Sequence, residues 1–289
     1  MRQAAELQVG CRITDKKWLN DRAFSMWVEA PSIAKAYCPG QFVVVRAEKE
    51  GDRIPLGVAE TDSERAQLRL IVLAAGYSTR LLNAVRSSDR LAEVAGPVGR
   101  PATIRKCQRP VLGIAEEAGS AFLLPHLAAH RKAGNRVSAI LGAATLKQLL
   151  LVDEIQKVAP DLHLCTDDGE FVRKGPVADV LIDLLNRGLN PELIVSVGPA
   201  AAMRSASEIA ARRGIPVTVS INPVLVDGSG TCAGCRVLVG ERTCYACEDG
   251  PDFDGTRVQW DELIARLDKL KPQEVYTWDR ACKIVDAGQ

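Results

Sequence analysis

Four of the nine cysteines lie within sixteen residues and form two C-x-x-C pairs. They are Cys232, Cys235, Cys244 and Cys247. Thiolates at positions i and i+3 of a turn can converge on one metal centre, so the spacing indicates a metal site rather than incidental thiols. Four thiolates in a tetrahedron would hold zinc or a single iron. The gap between the pairs is only eight residues, whereas the usual zinc pattern has roughly 15–20.

A second metal pattern begins before the first pair. Asp227 is separated from Cys232 by Gly-Ser-Gly-Thr. The plant-type [2Fe–2S] spacing is C-x4-C-x2-C with a distant fourth cysteine. Asp227, Cys232, Cys235 and Cys247 match that spacing, with aspartate in the first position. Small residues in such a loop let backbone N–H groups hydrogen-bond the cluster sulfurs. On spacing alone, both a zinc site and a [2Fe–2S] site remain open.

The sequence VDGSGTCAGCRV followed by ACEDGPDFDG resembles the C-terminal cluster motif of a ferredoxin-reductase-like family of electron-transfer subunits. The family includes the electron-transfer subunit of dihydroorotate dehydrogenase, the small subunit of sulfide dehydrogenase and the small subunit of NADH-dependent ferredoxin:NADP oxidoreductase. In the last two, the first ligand of the family pattern is aspartate. The resemblance implies a [2Fe–2S] cluster held by Asp227, Cys232, Cys235 and Cys247, with Cys244 as a bystander.

Composition excludes several classes of function. The 37 lysines and arginines nearly balance 36 aspartates and glutamates, so we expect neither nucleic acid nor an anionic surface as a partner. No apolar run is long enough to span a membrane, and the start lacks the apolar stretch of a secretory signal. An odd number of cysteines argues against a disulfide framework. A cysteine-ligated cluster fits a reducing compartment, so we expect a cytoplasmic protein.

No catalytic side chains are predicted. The chain shows no Ser-His-Asp arrangement, and it has only three histidines. His126 and His130 lie four positions apart, where a helix would place them on one side. The glutamate of the zinc-protease HExxH motif is missing between them. We therefore interpret both histidines as structural, because two ligands are too few for a closed metal site.

The first hundred residues predict a small antiparallel β-barrel. Short segments rich in β-branched residues are separated by polar turns, among which Pro39-Gly40 and Gly96-Pro-Val-Gly are interpreted as turn signals. This pattern is typical of small closed sheets. The predicted strands lie around Leu7–Thr14, Ala23–Glu29, Phe42–Arg46 and Leu68–Ala75.

Three segments of this region, Pro39-Gly-Gln-Phe-Val, Arg53-Ile-Pro-Leu and Gly76-Tyr-Ser-Thr, resemble the flavin-binding marks of ferredoxin-reductase-like barrels. The resemblance implies that Arg53 meets the FAD pyrophosphate and that Pro55 and Leu56 lie along the isoalloxazine ring. An arginine fork suits phosphate, and a glycine followed by hydroxyls leaves N–H groups free for anions. Gly57 stands where the family usually has Thr or Ser. The implied FAD residues are Arg53, Ile54, Pro55, Leu56, Gly76, Ser78 and Thr79.

From about Pro110 onward, apolar strands alternate with helical segments, which predicts a parallel sheet with helices on both faces. Gly134 and Gly214 stand where glycines end helices. The predicted strands are Val111–Ile114, Val137–Leu141, Leu162–Cys165, Leu193–Val197 and Val217–Ile221. The predicted helices are Phe122–Ala133, Leu146–Val158, Val177–Arg187, Ala200–Arg213 and, near the C-terminus, Trp260–Leu270.

The first βα turn of this region departs from the family. The family has a glycine-rich GGG-x-G run there, whose bare backbone approaches a pyrophosphate. This chain has Ala115-Glu116-Glu117-Ala118-Gly119. Two carboxylates would repel phosphates, and their side chains would block close approach. After the next strand the family usually has Gly-Ala-Arg. This chain has Gly142-Ala143-Ala144 there, so the arginine is missing. Binding of NAD(P) is therefore doubtful.

We predict three units: an FAD-binding β-barrel (residues 1–105), an NAD(P)-binding-like α/β domain (106–222) and a [2Fe–2S] domain with a C-terminal helix and tail (223–289). The predicted function is an electron-transfer subunit carrying FAD and a [2Fe–2S] cluster, with NAD(P)H binding weakened or lost. The expected partner is a larger redox subunit, a flavin or iron–sulfur protein, in a hetero-oligomer. The alternatives are a fully active NAD(P)H-dependent reductase subunit and a non-redox assembly subunit with structural zinc.

Overall fold

The computed structural model describes residues 5–74, 76–221 and 232–269. Residues 5–98 form a closed antiparallel barrel with the strand order β1-β2-β5-β4-β3-β6. Its strands are β1 (Glu6–Trp18), β2 (Ala23–Glu29), β3 (Phe42–Arg46), β4 (Arg53–Asp62), β5 (Gln67–Leu73) and β6 (Arg90–Val98), and its helices are α1 (Pro31–Ala36) and α2 (Tyr77–Ala84). The predicted β-barrel is confirmed.

The barrel closes on apolar side chains that point inward from every strand. Phe24, Met26 and Val28 alternate with more polar neighbours along β2 and are fully buried, as are Leu68 and Leu70 of β5. The period of two in these strands sets which face is buried. Burial of such side chains contributes about 1.5–3 kcal/mol each to folding.

One local prediction in the barrel is wrong. Gly96-Pro97-Val98 forms the last part of β6 rather than a turn. The segment that begins at Gly76 enters helix α2, with Gly76 as its N-cap. The backbone N–H groups at this helix N-terminus can face an anion, as the sequence of a glycine followed by hydroxyls predicts.

The second sheet has seven strands in the order β10-β9-β8-β7-β11-β12-β15, and its last strand β15 covers Asp252–Asp254. Its strands up to residue 220 are parallel. The elements are β7 (Val111–Glu116), α3 (Gly119–Lys132), β8 (Val137–Ala143), a 3-10 turn (Leu146–Gln148), α4 (Val152–Val158), β9 (Asp161–Thr166), β10 (Arg173–Lys174), α5 (Val177–Asn186), β11 (Leu193–Val197), α6 (Ala200–Arg212) and β12 (Val217–Ser220). The predicted parallel α/β sheet is confirmed.

The strand order changes direction between β7 and β11, so the carboxyl end of β7 lies at the switch point of the sheet. Ligands of open α/β sheets bind at such a point. Helices α3 and α6 end before Gly134 and Gly214, which take the left-handed φ values of 79° and 63° that end helices,. The predicted helix Leu146–Val158 is interrupted, because Leu151 has φ 56° and cannot continue a right-handed helix,.

The C-terminal segment is built onto the same sheet. Strands β13 (Arg236–Val239) and β14 (Arg242–Tyr245) form a hairpin, and β15 (Asp252–Asp254) pairs antiparallel with β12. A last helix, α7, covers residues 260–269, as predicted apart from residue 270, which lies outside the described part. The domain boundaries at residues 105 and 222 remain predictions. None of the described helices is long and apolar enough to cross a membrane.

Candidate cofactor sites

Two of the predicted cluster ligands lie together. The Sγ atoms of Cys235 and Cys247 are 3.2 Å apart. That is too long for a disulfide, whose sulfurs are about 2.05 Å apart. When two thiolates bind the same tetrahedral metal at about 2.3 Å, their sulfurs are about 3.7 Å apart. Cys235 precedes β13 and Cys247 follows β14, so the hairpin β13–β14 brings them together, and both are buried.

The surroundings of Cys235 favour its thiolate form. The hydrogen bond with the Cys247 thiol lowers the pKa of Cys235 to about 6, with help from the backbone N–H groups of Cys247 and Ala246 and against the effect of burial. Because the thiolate is the form that binds metals, this pair is prepared for a metal or cluster. The donor set and its environment fit an iron–sulfur cluster.

The other candidate ligands are placed differently. Asp227 lies outside the described residues. Within the described residues, no three His, Cys, Asp or Glu side chains converge on one point, so Cys232 does not join the Cys235–Cys247 pair in this structure. Cys244 lies on β14 opposite Val237. Paired residues of antiparallel strands point to the same face, and Val237 is fully buried in the hydrophobic core. The side chain of Cys244 packs against that core.

Arg53, the first of the predicted FAD residues, is held by an acidic side chain of β6. Its Nε and Nη2 atoms donate to the same Glu93 oxygen, at 3.2 and 2.9 Å. This contact fixes one edge of the guanidinium group and partly neutralises it. Arg46 contacts the other Glu93 oxygen at 3.4 Å. Both arginines share this carboxylate, and the N–H groups on the other edge of the Arg53 guanidinium suit a phosphate,.

The second group of predicted FAD residues lies at the N-terminus of α2. The Thr79 hydroxyl accepts a hydrogen bond from the Gly76 N–H at 3.0 Å and donates to the Gly76 carbonyl at 2.9 Å. A Cβ atom on Gly76 would meet nothing within 4 Å among the described residues, so there is space beside this N-cap. Ser78 donates to Asp52 at 3.1 Å. This helix N-terminus, which the Ser78–Asp52 hydrogen bond links to the start of β4, has N–H groups that fit the pyrophosphate of FAD,.

A residue that the sequence gave no reason to select secures this helix. Lys16 of β1 donates from Nζ to the backbone carbonyls of Val85 at 2.8 Å and Leu82 at 3.1 Å, at the C-terminal end of α2. A cation there satisfies carbonyls without helical partners and interacts favourably with the helix dipole. Lys16 also lies 4.4 Å from the centre of the Phe24 ring. Sequence reasoning missed it because the contact spans more than sixty residues.

The remaining predicted FAD residues lie along β4. Ile54, Pro55 and Leu56 pair with Val45, Val44 and Val43 of β3. Leu56 is buried in the barrel, while Ile54 and Pro55 are half-buried. Thus β4 and the start of α2 present all seven predicted residues on the barrel, and Asp52 and Ser78 link the two segments.

The first βα turn at the switch point is closed and acidic. Glu116 ends β7, and Glu117 follows with a left-handed φ of 49°. Both line a cavity of about 80 Å³, whereas ligand pockets usually measure about 300–1,000 Å³. Asp167, from the loop after β9, is a third acidic residue in its wall.

Burial raises the pKa of the Glu116 carboxyl above its usual range, the negative charges of Asp167 and Glu117 raise it further, and the Val177 N–H opposes them in part. Burial and the neighbouring carboxylates thus both disfavour the negatively charged form of Glu116. A second anion placed here, such as a pyrophosphate, meets the same repulsion.

The one glycine left in this turn has a packing role. A Cβ atom on Gly119 would lie 2.4 Å from the Val197 carbonyl oxygen, so helix α3 can approach β11 only with glycine there. Close helix–strand packing is one of the three roles of glycines in dinucleotide-binding turns. The positions that let the backbone approach a pyrophosphate carry Glu116 and Glu117 instead.

His126 and His130 line a cleft of about 630 Å³ on the α3 side of the sheet, together with Arg100, Arg105 and Asp252. His126 Nε2 lies 3.5 Å from Asp252 Oδ2. His130 Nδ1 lies 3.1 Å from Asn135 Nδ2. Both histidines are almost fully buried. These contacts fit the structural role predicted from the sequence.

Acid should destabilise the protein through His130. Burial first, and then the charges of His126 and Arg105, lower its pKa to about 4. An unfolded histidine titrates near 6.5. The unfolded state therefore binds more protons between pH 6.5 and 4, and stability is lost as pH falls through that window, by up to about 3 kcal/mol. Urea unfolding at pH 7 and pH 5 should show a smaller loss for His130→Gln than for the unaltered chain.

The half-exposed His163 on β9, whose Nε2 lies 3.1 Å from Asp161 Oδ1, provides the control for that measurement. His163→Gln should not reduce the loss of stability between pH 7 and pH 5. Equal acid sensitivity in His130→Gln and the unaltered chain would contradict the assignment.

Loss of Arg53 should weaken FAD binding without unfolding the chain. A charge-assisted hydrogen bond is worth about 1.5–3 kcal/mol, so Arg53→Ala should raise the FAD dissociation constant about 10- to 100-fold. Arg46→Ala is the matched control, because Arg46 also contacts Glu93 but lies outside the predicted FAD residues. Flavin fluorescence titration of both variants tests this. An equal loss of affinity in the two variants would contradict a direct contact of Arg53 with FAD. The effect would then come from the lost Glu93 ion pair or from the change in net charge.

The fold and these sites together define a class. A six-stranded barrel followed by a parallel α/β domain is the architecture of ferredoxin reductases, and the cysteine hairpin adds a cluster-binding segment. The comparisons agree. Residues 222–259 match the family model for the iron-sulfur cluster binding domain of dihydroorotate dehydrogenase B. The chain belongs to the family of dihydroorotate dehydrogenase B electron-transfer subunits, which confirms the resemblance seen in its cysteine motif.

Two curated relatives carry this conclusion. A Thermotoga maritima protein, named as a homolog of the electron transfer subunit of dihydroorotate dehydrogenase B (NAD(+)), is 38% identical over 94% of this chain and 95% of its own length. A Methanocaldococcus jannaschii protein, named as a probable electron transfer subunit of the same enzyme, is 30% identical over 77% of this chain and 81% of its own length.

Solved structures give the same result. A chain in the structure of an NADH-dependent reduced ferredoxin-NADP oxidoreductase superposes with a TM-score of 0.88 and 36% identity, covering 95% of this chain and 99% of that one. The ferredoxin reductase of carbazole 1,9a-dioxygenase, at 17% identity, 74% and 69% coverage and a TM-score of 0.63, shares the fold. This chain is therefore an oxidoreductase subunit with an FAD-type reductase barrel and an iron–sulfur binding domain.

Proposed function

We propose that this chain transfers electrons between an FAD in its barrel and a [2Fe–2S] cluster held by Asp227, Cys232, Cys235 and Cys247. It does so as the smaller member of a hetero-oligomer with a larger redox subunit. It binds NAD(P)H weakly or not at all. The observation that carries the last part is the acidic 80 Å³ cavity at the switch point of the sheet.

The FAD placement rests on charge and open space. Arg53, oriented by Glu93, and the N-terminus of α2 supply donors for the pyrophosphate. The half-buried Ile54 and Pro55 supply the surface next to it, and the buried Leu56 supports them from the barrel core. When bound, the flavin supplies the chemistry of accepting and giving electrons, and the protein binds and orients it. Lys16 keeps α2 in position from its other end.

The cluster placement rests on the Cys235–Cys247 contact and the lowered pKa of Cys235. The match of residues 222–259 to an iron–sulfur domain supports a cluster over structural zinc. An aspartate is a harder ligand than a thiolate and changes the charge of the cluster, so Asp227 should affect its potential.

Weakened nucleotide binding is the part of this proposal that separates it from an ordinary NAD(P)H reductase. Relatives have NAD(+) in their names, which favours a fully active NAD(P)H-dependent reductase as the second candidate function. Against it stand the carboxylates of Glu116, Glu117 and Asp167 around the small cavity in which the pyrophosphate would have to bind,. The electrons would then come from, or go to, a partner subunit or another carrier.

An anaerobic titration of the FAD-loaded chain separates these candidates. NADH or NADPH at micromolar concentrations, which corresponds to about 8 kcal/mol of binding, should bleach the flavin absorbance slowly or not at all. Adding the partner subunit that co-purifies with the native complex should then bring about reduction. Rapid bleaching of the isolated subunit would establish the ordinary NAD(P)H reductase instead.

A further inference from the structure

The first turn of α3 meets the FAD-carrying strand of the barrel through an aromatic ring. Phe122 lies directly over Gly57: a Cβ atom on Gly57 would be 2.5 Å from Phe122 Cε2 and 2.7 Å from Cζ. Carbon atoms in contact lie about 3.5–4.0 Å apart. While the ring stays in place, position 57 therefore admits only glycine. The ring of Phe122 thus occupies the space that a side chain at position 57 would need.

The ring is held from two sides. Phe122 is half-buried and packs against both hydrophobic clusters that join the barrel to the α/β domain. One cluster contains Phe42 and Val98 of the barrel, and the other contains Ala59 and Ile71. Protein interiors are close-packed, so a ring that swings away from Gly57 leaves an unfilled space on both sides. The ring is part of the domain interface.

Gly57 and Phe122 each lie next to one of the two sites described above, and their contact connects these sites. Gly57 directly follows Leu56, the last of the predicted FAD residues on β4. Phe122 lies three residues after Gly119, at the N-terminus of α3. A dinucleotide whose phosphates sit at that helix terminus would have to reach the flavin past Phe122.

Hydride transfer has a strict distance requirement. The C–H bond of the reduced nicotinamide breaks, and the hydride carries both electrons to the flavin while the nicotinamide is oxidised. The reacting atoms must approach to about 3–3.5 Å with proper alignment. Single electrons passing from a cluster or another flavin need no such contact between rings. A side chain in the contact space therefore discriminates between these two kinds of electron donor.

We propose that Phe122 is a specificity-determining residue, whose ring fills the space over Gly57 that a nicotinamide would have to enter and so excludes hydride donors from the flavin. This inference rests on the proposed function and adds a second barrier to it. Glu116 and Glu117 oppose the phosphates of the nucleotide, and Phe122 opposes its reactive ring.

The two barriers have different kinetic signatures. Removing the carboxylates should change the affinity for the nucleotide, whereas removing the ring should change the rate of flavin reduction once the nucleotide is bound. The experiment therefore uses the FAD-loaded full chain with Glu116→Gly and Glu117→Gly as the background. Phe122→Ala is added to that background, and flavin bleaching is followed by anaerobic rapid mixing at saturating NADH.

Phe122→Ala should raise the limiting rate of flavin reduction about 100-fold in that background, the size of effect that a small displacement of reacting groups produces. Leu123→Ala is the matched control, because Leu123 is a fully buried neighbour on the same helix that does not lie over Gly57. It should leave the limiting rate unchanged. Phe122→Leu, which removes the planar ring but keeps apolar volume, replaces the alanine variant if that one does not fold.

Rapid reduction in the background variant alone, or an unchanged limiting rate after loss of the ring, would overturn the role of Phe122. The proposed function would survive either result as long as the unaltered chain resists NADH. Rapid reduction of the unaltered chain would overturn both.

A second measurement needs neither flavin nor nucleotide. Gly57→Ser should lower the urea midpoint of unfolding of the flavin-free chain, because its Cβ would collide with the ring,. In the Phe122→Ala chain the same Gly57→Ser change should cost much less. Equal costs in the two chains would show that the ring does not close position 57.

Discussion

Cys247→Ser should lose the iron–sulfur cluster, whereas Cys244→Ser should keep it. Cys247 is buried with its sulfur 3.2 Å from that of Cys235. Loss of this thiolate removes a predicted ligand and the hydrogen-bond partner that lowers the pKa of Cys235. Cys244 packs against the hydrophobic core from the face of the β13–β14 hairpin that also carries the buried Val237. Serine there should cost stability but no metal.

Iron and sulfide analysis and the visible spectrum of anaerobically purified protein decide this prediction. A [2Fe–2S] cluster gives about two irons and two sulfides per chain, in Cys244→Ser as in the unaltered protein. If Cys244→Ser removes the metal, and analysis of the unaltered protein finds one iron or one zinc per chain, the site is a four-thiolate centre and Asp227 is not a ligand.

The strands that the sequence predicted were those with plain apolar periodicity. β2, β3 and β11 have their predicted bounds, because β-branched residues and burial act together there. β4 was recognised only for its ligand residues, since Pro55 and Gly57 are unusual inside a strand. β6 ends in Gly96-Pro97-Val98, which has the composition of a turn. In both strands the closure of the barrel outweighs local preference.

The candidate sites divide in the same way. Ligand types at fixed spacing, such as the cysteines of the hairpin and the residues Arg53–Leu56, are visible in the sequence because neighbouring positions carry them. The side chains that orient them come from far along the chain. Glu93 is forty residues from Arg53, and Lys16 contacts α2 across 66 to 69 residues. Only the closed barrel brings these groups together, so no local pattern indicates them.

The acidic turn could be located from the sequence alone, because Glu116 and Glu117 stand where the family has glycines. The structure then shows what these residues do to the site. Glu116 and Glu117 in place of glycines predicted repulsion of phosphate. The structure adds the small cavity, the raised pKa of Glu116 and the close approach of α3 to β11 at Gly119. Gly119 is required by packing, which explains how this glycine persists in a turn that carries two carboxylates.

Changing Glu116 and Glu117 together to glycine should restore binding of the phosphate part of a dinucleotide. The change removes two negative charges from the turn, and repulsion between like charges a few ångströms apart amounts to about 1–4 kcal/mol. Affinity should therefore rise about 10- to 100-fold or more. Glycine at position 117 also relieves a left-handed residue with φ 49°, so that half of the change should not destabilise the chain.

The suitable probe is ADP-ribose, which carries the pyrophosphate but no nicotinamide, so Phe122 does not affect the result. Calorimetry should find millimolar or weaker binding to the unaltered chain and clear binding to the double variant. Glu48→Gly with Glu50→Gly, the same charge change at exposed positions of the barrel, should not increase the affinity for ADP-ribose.

Glutamine at both positions 116 and 117 removes charge but keeps bulk. If that variant also binds, charge closed the site; if only glycine restores binding, the side chains themselves occupy the place of the phosphates. Micromolar binding to the unaltered chain would contradict the prediction outright, because the carboxylates would then be no barrier.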